Sequence, residues 1–398
     1  MRWILILAFL PAVVGLAAQS ADSLDFPLPH YVNPIFDSFT RNYVSTSAMG
    51  RGYTGVSVPG GIDNVLLNPA GYVPDKATLH IEMLVKPPVD AKFYAEHDTL
   101  TGITMTPEDR MTSPVPLGIV GGGGSISQRF TYALLYAMPK TIRVDDFSVE
   151  MNMGAYLLSR YPSFYLHQFT ANAAWHTERF HVGLNLHNQI YRIGDVTFLR
   201  SFERINDSKY LLRPQLGLLY TGDSFNVGLS AIPRQNASWD LKFAQYDTHL
   251  PLNLAAGGAY KTDSSSFAAE LDYEQTSTLS DKYIDRYTLK LGAETTVRKF
   301  TYRAGYIYHP EIWHGHYKLP DAASDTLSIW WNDVLAGGKV EKNTQHILTL
   351  GMTWHGRDAR INLGFLMDVA GRAPIAQVNA SLDLYFSAFR KKNFLFFD

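Results

Sequence analysis

The sequence predicts an all-β protein, a transmembrane β-barrel of about fourteen antiparallel strands with an N-terminal hatch inside the lumen. Three observations predict it. From Leu79 onward, apolar and polar residues alternate with period two in segment after segment. The links between those segments are short and long in turn. An export-type N-terminus precedes them, and the chain has no cysteine.

The first residues read as an address. Arg2 is a basic start, Trp3 to Ala18 is an apolar run broken by Pro11, and small residues at Ala18 and Ser20 precede Asp22. That is the pattern of a signal peptide over 1–20. The competing reading is an uncleaved anchor, for which the run is short. Past residue 20 no stretch of ~18 apolar residues occurs, so the sequence offers no transmembrane helix. The chain is expected to be exported to the bacterial outer membrane.

The strands follow from the alternation. Tyr287, Leu289, Leu291 and Ala293 alternate with Thr288, Lys290, Gly292 and Glu294. Ile361, Leu363, Phe365 and Met367 alternate with Arg360, Asn362, Gly364 and Asp368. A helix cannot lay such a pattern on one side, whereas a strand must. The expected spans are 79–86, 116–125, 129–138, 167–177, 179–192, 211–221, 224–232, 252–261, 265–274, 285–296, 298–309, 345–355, 359–369 and 376–386.

Short turns fall near 127–129, 176–179, 221–224, 262–265, 297–299 and 356–358. Longer links are expected at 87–115, 139–166, 193–210, 233–251, 275–284 and 310–344. Short turns at one end and long loops at the other mark an outer-membrane barrel. An even strand number puts both chain ends on the short-turn, periplasmic side. Trp175, Tyr220, Tyr260, Tyr308, Trp354 and Phe386 lie near strand ends, where membrane interfaces collect aromatic rings. A secreted β-sandwich also alternates, with its apolar face inward.

The lumen face carries Glu82, Lys86, Arg129, Arg213, Glu270, Asp272, Glu274, Lys290, Glu294, Arg303, Arg360, Asp368 and Asp383. It also carries Gly183, Gly217, Gly228, Gly257, Gly292, Gly305, Gly351 and Gly364. Missing side chains there leave room for a plug or a passage. The alternative is that glycine relieves strain in a coiled sheet.

Residues 45–72 are of a different kind: STSAMGRGYTGVSVPGGIDNVLLNPAGY, rich in glycine and closed by Asn68-Pro69-Ala70. At the entrance of a barrel such a segment is expected to fold inward and bond its amides to the polar lumen. The runs Met49–Gly55 and Asn64–Ala70 resemble the hatch of the FadL family, whose members transport hydrophobic compounds through the outer membrane. Leu212–Pro233, Leu250–Tyr273 and Arg303–Tyr308 are similar to later strands of that family, and the likeness spans most of 45–386.

The expected plan is a signal peptide 1–20, an N-terminal extension 21–44, a hatch 45–78, a barrel 79–386 and a tail 387–398, the extension and the tail departing from the family's pattern. The resemblance itself bears on the hatch and the barrel. It implies passive diffusion of long-chain fatty acids or aromatic hydrocarbons, from a landing surface on the loops to an inner pocket and out sideways through a gap in the wall. Gly50, Arg51, Gly52, Asn68, Pro69 and Ala70 are the expected hatch residues, with Arg51 paired to Glu270 or Asp272. Tyr156, Leu157, Leu158, Phe164, Trp330 and Trp331 are the expected landing residues, because exposed apolar clusters mark contacts; the alternative is that they pack the loops on one another or sit at the outer lipid interface. The expected partners are a hydrophobic small molecule or fatty acid, outer-membrane lipid and the barrel-assembly machinery. A second class remains open: a scaffold that holds secretion-system proteins.

Other chemistry is weaker. Near-neutral charge, 35 Lys+Arg against 37 Asp+Glu, argues against nucleic acid. Without cysteine there is no thiol chemistry or disulfide. Trp313-His314-Gly315-His316 has no acid at metal-site spacing, and Gly121–Gly124 lacks the Lys-Ser/Thr pair of a phosphate loop. No enzymatic activity, metal or cofactor is expected, although Ser, His and Asp are plentiful enough to keep a barrel lipase in view.

Overall fold

Fourteen strands close on themselves. The computed structural model describes residues 41–92, 96–97, 104–113, 115–151, 155–156, 163–197, 204–241, 244–278, 283–312, 344–370 and 375–386. We number the wall strands β1 (Thr78–Val85), β2 (Leu117–Ser125), β3 (Phe130–Met151), β4 (Ser163–His176), β5 (Phe180–Thr197), β6 (Arg204–Thr221) and β7 (Phe225–Ile232). The second half is β8 (Asn253–Lys261), β9 (Ser265–Glu274), β10 (Arg286–Val297), β11 (Phe300–His309), β12 (Gln345–His355), β13 (Ala359–Asp368) and β14 (Ala376–Tyr385). Each pairs antiparallel with the next, and β14 pairs with β1 from Thr78↔Tyr385 to Val85↔Val378. Closure leaves the fourteen-strand wall itself without an edge strand.

The faces are inverted relative to a water-soluble sheet. Leu134 is 63% exposed and Leu350 60%, whereas Glu82 and Asp383 are fully buried. Apolar side chains on the outside are stable only in lipid, so this wall sits in a bilayer. Phe130, Trp175, Phe180, Phe225, Tyr260, Phe300, Trp354 and Phe386 are exposed around the short-turn end and form its aromatic girdle. Inside, opposite charges meet directly across the ladder: Glu270↔Lys290 and Glu274↔Arg286 between β9 and β10, Glu294↔Arg303 between β10 and β11, Arg360↔Asp383 between β13 and β14. Cross-strand neighbours lie close enough for such pairs to offset one another's charge. Arg129 is the exception among the expected lumen charges; it is exposed at a turn.

Several links expected as loops are extended ribbon. β3 runs on to Met151 and β4 begins at Ser163, so most of 139–166 is strand. Thr104–Thr112 pairs with Val89–Lys92 on one side and with the far end of β3 on the other. Gln235–Leu241 and Ala244–Leu250 form a hairpin in the 233–251 link. The reason is physical. Above the membrane no face of a ribbon has to meet lipid, so apolar alternation disappears from the sequence while the pairing continues.

Candidate functional site: the inner segment and the cavity above it

Residues 42–72 pack against the inward-facing side chains of the wall. The helix α1 (Thr46–Gly50) is entered through Ser45 in a left-handed conformation, φ 75. Glu82 of β1 caps it, accepting the Ser45 amide at 3.0 Å, the Thr46 amide at 2.6 Å and the Thr46 hydroxyl at 2.7 Å. Asp63 accepts the hydroxyls of Ser45 at 2.9 Å and Ser47 at 2.6 Å. Burial pushes the Asp63 carboxyl up, but His80, Arg360 and the Ser47 hydroxyl outweigh it and hold it below the ordinary range. Gln377 and Asn379 of β14 both donate to the Tyr43 carbonyl, at 2.8 and 2.7 Å.

The next turn reaches β12 and β10. Gly52 has φ 67, a conformation that costs glycine little, and its amide donates to Thr349 Oγ1 at 2.9 Å. Arg51 is buried; its Nε donates to the Thr54 carbonyl at 2.7 Å, and its Nη1 lies 3.5 Å from Glu294. The expected partner was Glu270 or Asp272. Glu270 instead accepts the amides of Gly55 and Val56, both at 2.9 Å, and takes Lys290 at 2.8 Å. Lys290 also pairs with Asp272.

Asn68-Pro69-Ala70 forms a tight turn. Asn68 caps it by accepting the Ala70 amide at 3.0 Å, and proline stands at the first position, where its missing N–H costs nothing. The Asn68 amide group donates to the carbonyls of Val56 and Leu218, tying the turn to the segment and to β6. Wall amides then serve carbonyls that this irregular backbone leaves over: Asn172 bonds Pro69 at 3.1 Å, Asn185 bonds Val65 at 2.8 Å, and Gln215 bonds Leu66 and Leu67 at 3.3 and 3.2 Å. Buried backbone must be paired somewhere, and here the partners are lumen side chains.

The inward glycines complete the fit. A methyl on Gly351 would stand 2.7 Å from the Gly50 Cα, and one on Gly364 2.7 Å from the Met49 methyl. A methyl on Gly228 would overlap the Val56 carbonyl, on Gly183 the Pro69 backbone, on Gly217 the Asn68 side chain, and on Gly292 and Gly305 the Arg51–Gly52 backbone. Gly257 faces Ser57 at a looser 3.3 Å. Of the two readings of these glycines, room for an inner segment is the one their contacts support.

Above the segment, toward the long loops, lies a cavity of about 320 Å³. Tyr43, Tyr53, Leu66 and Leu67 line it from below; Leu166, Tyr191, Arg213, Gln215, Lys290 and Ile307 are among its wall residues. Pro139 and Lys140 line it where the wall ladder is interrupted. Pairing of β3 passes from Thr112↔Arg143 to Ile119↔Ala137, and on the β4 side its register shifts between Ala137 and Lys140. Pro139 has no N–H to give. Asn42 occupies the interruption: its amide donates to Pro139 O at 2.8 Å, and its side chain to Met138 O at 2.8 Å and Thr141 Oγ1 at 3.0 Å.

All six expected hatch residues thus lie in the inner segment, against the wall. The expected landing residues fare differently. Phe164 is buried and packs its ring 6.1 Å from Tyr191, so it is a packing residue of β4 and not part of an exposed loop. Tyr156 is on the short strand Ala155–Tyr156, paired to the end of β3. Leu157, Leu158, Trp330 and Trp331 lie outside the described residues, as do the signal peptide, the extension up to residue 40 and the tail. Glu82, Asp63, Asn172, Asn185 and Gln215 were not singled out as holding groups. Asn172, Asn185 and Gln215 sit at inward positions of the alternating strands, where a long run of Asn and Gln is the available signal.

The arrangement matches solved structures. CymD, a monoaromatic hydrocarbon channel, is similar with TM-score 0.57 and 12% identity over 86% of this chain and 97% of its own. The toluene transporter TbuX of Ralstonia pickettii gives 0.56 and 13% over 86% and 98%. The toluene transporter TodX of P. putida gives 0.57 and 13% over 85% and 97%. The fold is that of the TodX barrels. The expected resemblance therefore holds at the level of architecture, an outer-membrane barrel. No protein-family model and no curated protein matches the chain.

Proposed function

We propose that this barrel passes hydrophobic small molecules across the outer membrane by passive diffusion, with 45–78 acting as a hatch. One observation carries the reading. The inner segment is bonded to wall strands from β1 to β14, and a cavity lies on its loop side beside the interrupted ladder at Met138–Thr141. An apolar solute gains nothing from a watery pore, so a route from loops to cavity to membrane suits it better. Asn42 closes the side exit in this arrangement and must release it for passage. That CymD, TbuX and TodX carry monoaromatic hydrocarbons or toluene supports the class of cargo. In this reading Tyr156, Leu157, Leu158, Trp330 and Trp331 remain the landing residues, and the protein performs no covalent chemistry.

The test has two arms. Cells carrying the barrel are given labelled toluene or labelled palmitate, and uptake is compared with cells lacking it. Faster entry of either is expected, and Asn42→Ala and the Trp330→Ala/Trp331→Ala pair are expected to change it in a correctly assembled barrel. In planar bilayers, removal of 45–72 is expected to raise ion conductance. Unchanged uptake of both solutes defeats the transport reading; unchanged conductance defeats the hatch.

A further inference from the structure

The lipid-facing wall carries a cation at the height where the bilayer ends. Arg192 of β5 is exposed on the outward face, in register with Tyr165 of β4 and Ser208 of β6. The next row toward the short turns is His167, Ile190 and Tyr210, and the one after it is Phe169, Asn188 and Leu212. From Phe180 in the aromatic girdle to Arg192, β5 climbs about 30 Å, at about 3.4 Å per residue on a strand tilted by about 40°. The apolar band of such barrels is about 25 Å tall. Arg192 therefore stands at the loop-side boundary, level with the headgroups of the outer leaflet.

The polar groups around it are matched within the wall. The Tyr136 hydroxyl and His167 Nδ1 bond at 2.8 Å, Tyr165 stacks on the His167 ring with 6.4 Å between centroids, and the Tyr210 hydroxyl donates to Asn188. Arg192 makes no ion pair among the described residues. Elsewhere on the barrel the same belt holds a carboxylate: Asp285, before β10, accepts the Tyr273 hydroxyl of β9 at 2.7 Å. An anion at this boundary is thus drawn to the side of β4–β6 and repelled from that of β9 and β10. The planar fork of a guanidinium matches a phosphate, and the hydroxyls of Tyr165 and Ser208 flank it in the same row.

We infer that this patch binds a phosphorylated glycolipid of the outer leaflet. A phosphate sits on Arg192, the sugar lies against Tyr165, Ser208 and Tyr210, and the acyl chains run along Ile190, Phe169 and Leu212. The flanking hydroxyls favour a sugar over glycerol as the body that carries the phosphate, because they pair with sugar hydroxyls. An arginine that only reached past the headgroups to water would be indifferent to the lipid's phosphate. The inference needs the wall's place in the bilayer and is independent of what passes through the barrel.

The test titrates the full-length barrel in a neutral maltoside detergent and reads bound lipid by native mass spectrometry. The probes are bisphosphorylated lipid A, the same lipid stripped of its phosphates, and phosphatidylglycerol. Lipid A is expected to bind about tenfold or more tighter than either of the others. Arg192→Gln is expected to abolish the margin over the stripped lipid, and Arg192→Lys to keep part of it. Arg129→Gln, exposed at the short-turn end, is expected to leave the margin intact. Equal binding of lipid A and its stripped form overturns the inference, as does a margin that survives Arg192→Gln. Loss of the margin in Arg129→Gln also overturns it, since binding would then follow the overall charge. Phosphatidylglycerol bound as tightly as lipid A overturns the glycolipid assignment. If Arg192→Gln does not assemble, judged by heat-modifiable gel mobility, Arg192→Met takes its place, with the same loss expected.

Discussion

Glu82 holds Thr46 twice, through the backbone amide at 2.6 Å and the hydroxyl at 2.7 Å, with both atoms buried in the lumen. A wall strand thereby caps a helix that belongs to the segment inside it. Hydrogen bonds to a charged acceptor are worth about 1.5–3 kcal/mol each. Glu82→Gln keeps the shape and removes the charge, so the segment should be held less firmly by an amount of that order. The expected outcome is a barrel of native gel mobility with frequent ion-conducting openings in planar bilayers. A variant as quiet as the native protein would mean that the carboxylate does not hold the segment.

The wall glycines give a sharper contrast. Gly228→Ala puts a methyl into the Val56 carbonyl, whereas Gly258→Ala puts one 3.2 Å from the Phe225 ring on the outer face. Overpacking of this kind costs about 1–3 kcal/mol. Gly228→Ala should unseat the segment and raise conductance while Gly258→Ala stays closed. Equal behaviour of the two would return these glycines to the strain-relief reading.

Asn68 both accepts and donates. Asn68→Asp keeps the cap to the Ala70 amide but loses the donors to Val56 and Leu218; Asn68→Ala loses both roles. The cap alone is worth about 0.5–2 kcal/mol. Protease sensitivity of the inner segment should rise for both variants. If only Asn68→Ala is cleaved, the cap matters and the donors do not.

The seating should depend on pH through Asp63. Its carboxyl is held low in the folded protein, because His80, Arg360 and the Ser47 hydroxyl prevail over burial. A depressed folded value stabilises above the ordinary carboxylate value of about 3.9 and is lost as the pH falls below it. The Asp63 contribution should therefore be lost, and conductance rise, as the pH falls below about 4, and Asp63→Asn should remove that rise. Opening already near neutral pH would assign the control to another group.

Much of this was legible in the sequence, for a reason that also sets the limit. Inside the bilayer every strand must separate lipid from lumen, so Tyr287–Glu294 or Ile361–Asp368 write their two faces into alternate residues. Above the bilayer that demand ends, and the ribbon from Lys140 to Met151 reads as a loop. The inner segment stands out in the sequence because glycine, Asn68 and Pro69 carry local backbone constraints. The partner of Arg51 was not: Glu270, Asp272 and Glu294 share one face, and only the path of the segment selects among them. Phe164 looked like an exposed contact because apolar content says nothing about which way a ring turns.

The bond from Gln377 to Tyr43 spans 334 residues, and other anchors of the segment spread from β1 to β14. The segment is made first but can complete its bonds only when the last strand arrives. Closing so long a loop is entropically expensive, and contacts this remote in sequence form late. Folding of this barrel is therefore a wrapping process: the sheet curls around an N-terminus already present, and the seam between β14 and β1 closes over it. The same seam bonds α1 through Glu82 and Tyr43 through Asn379, so the step that ends assembly also locks the interior.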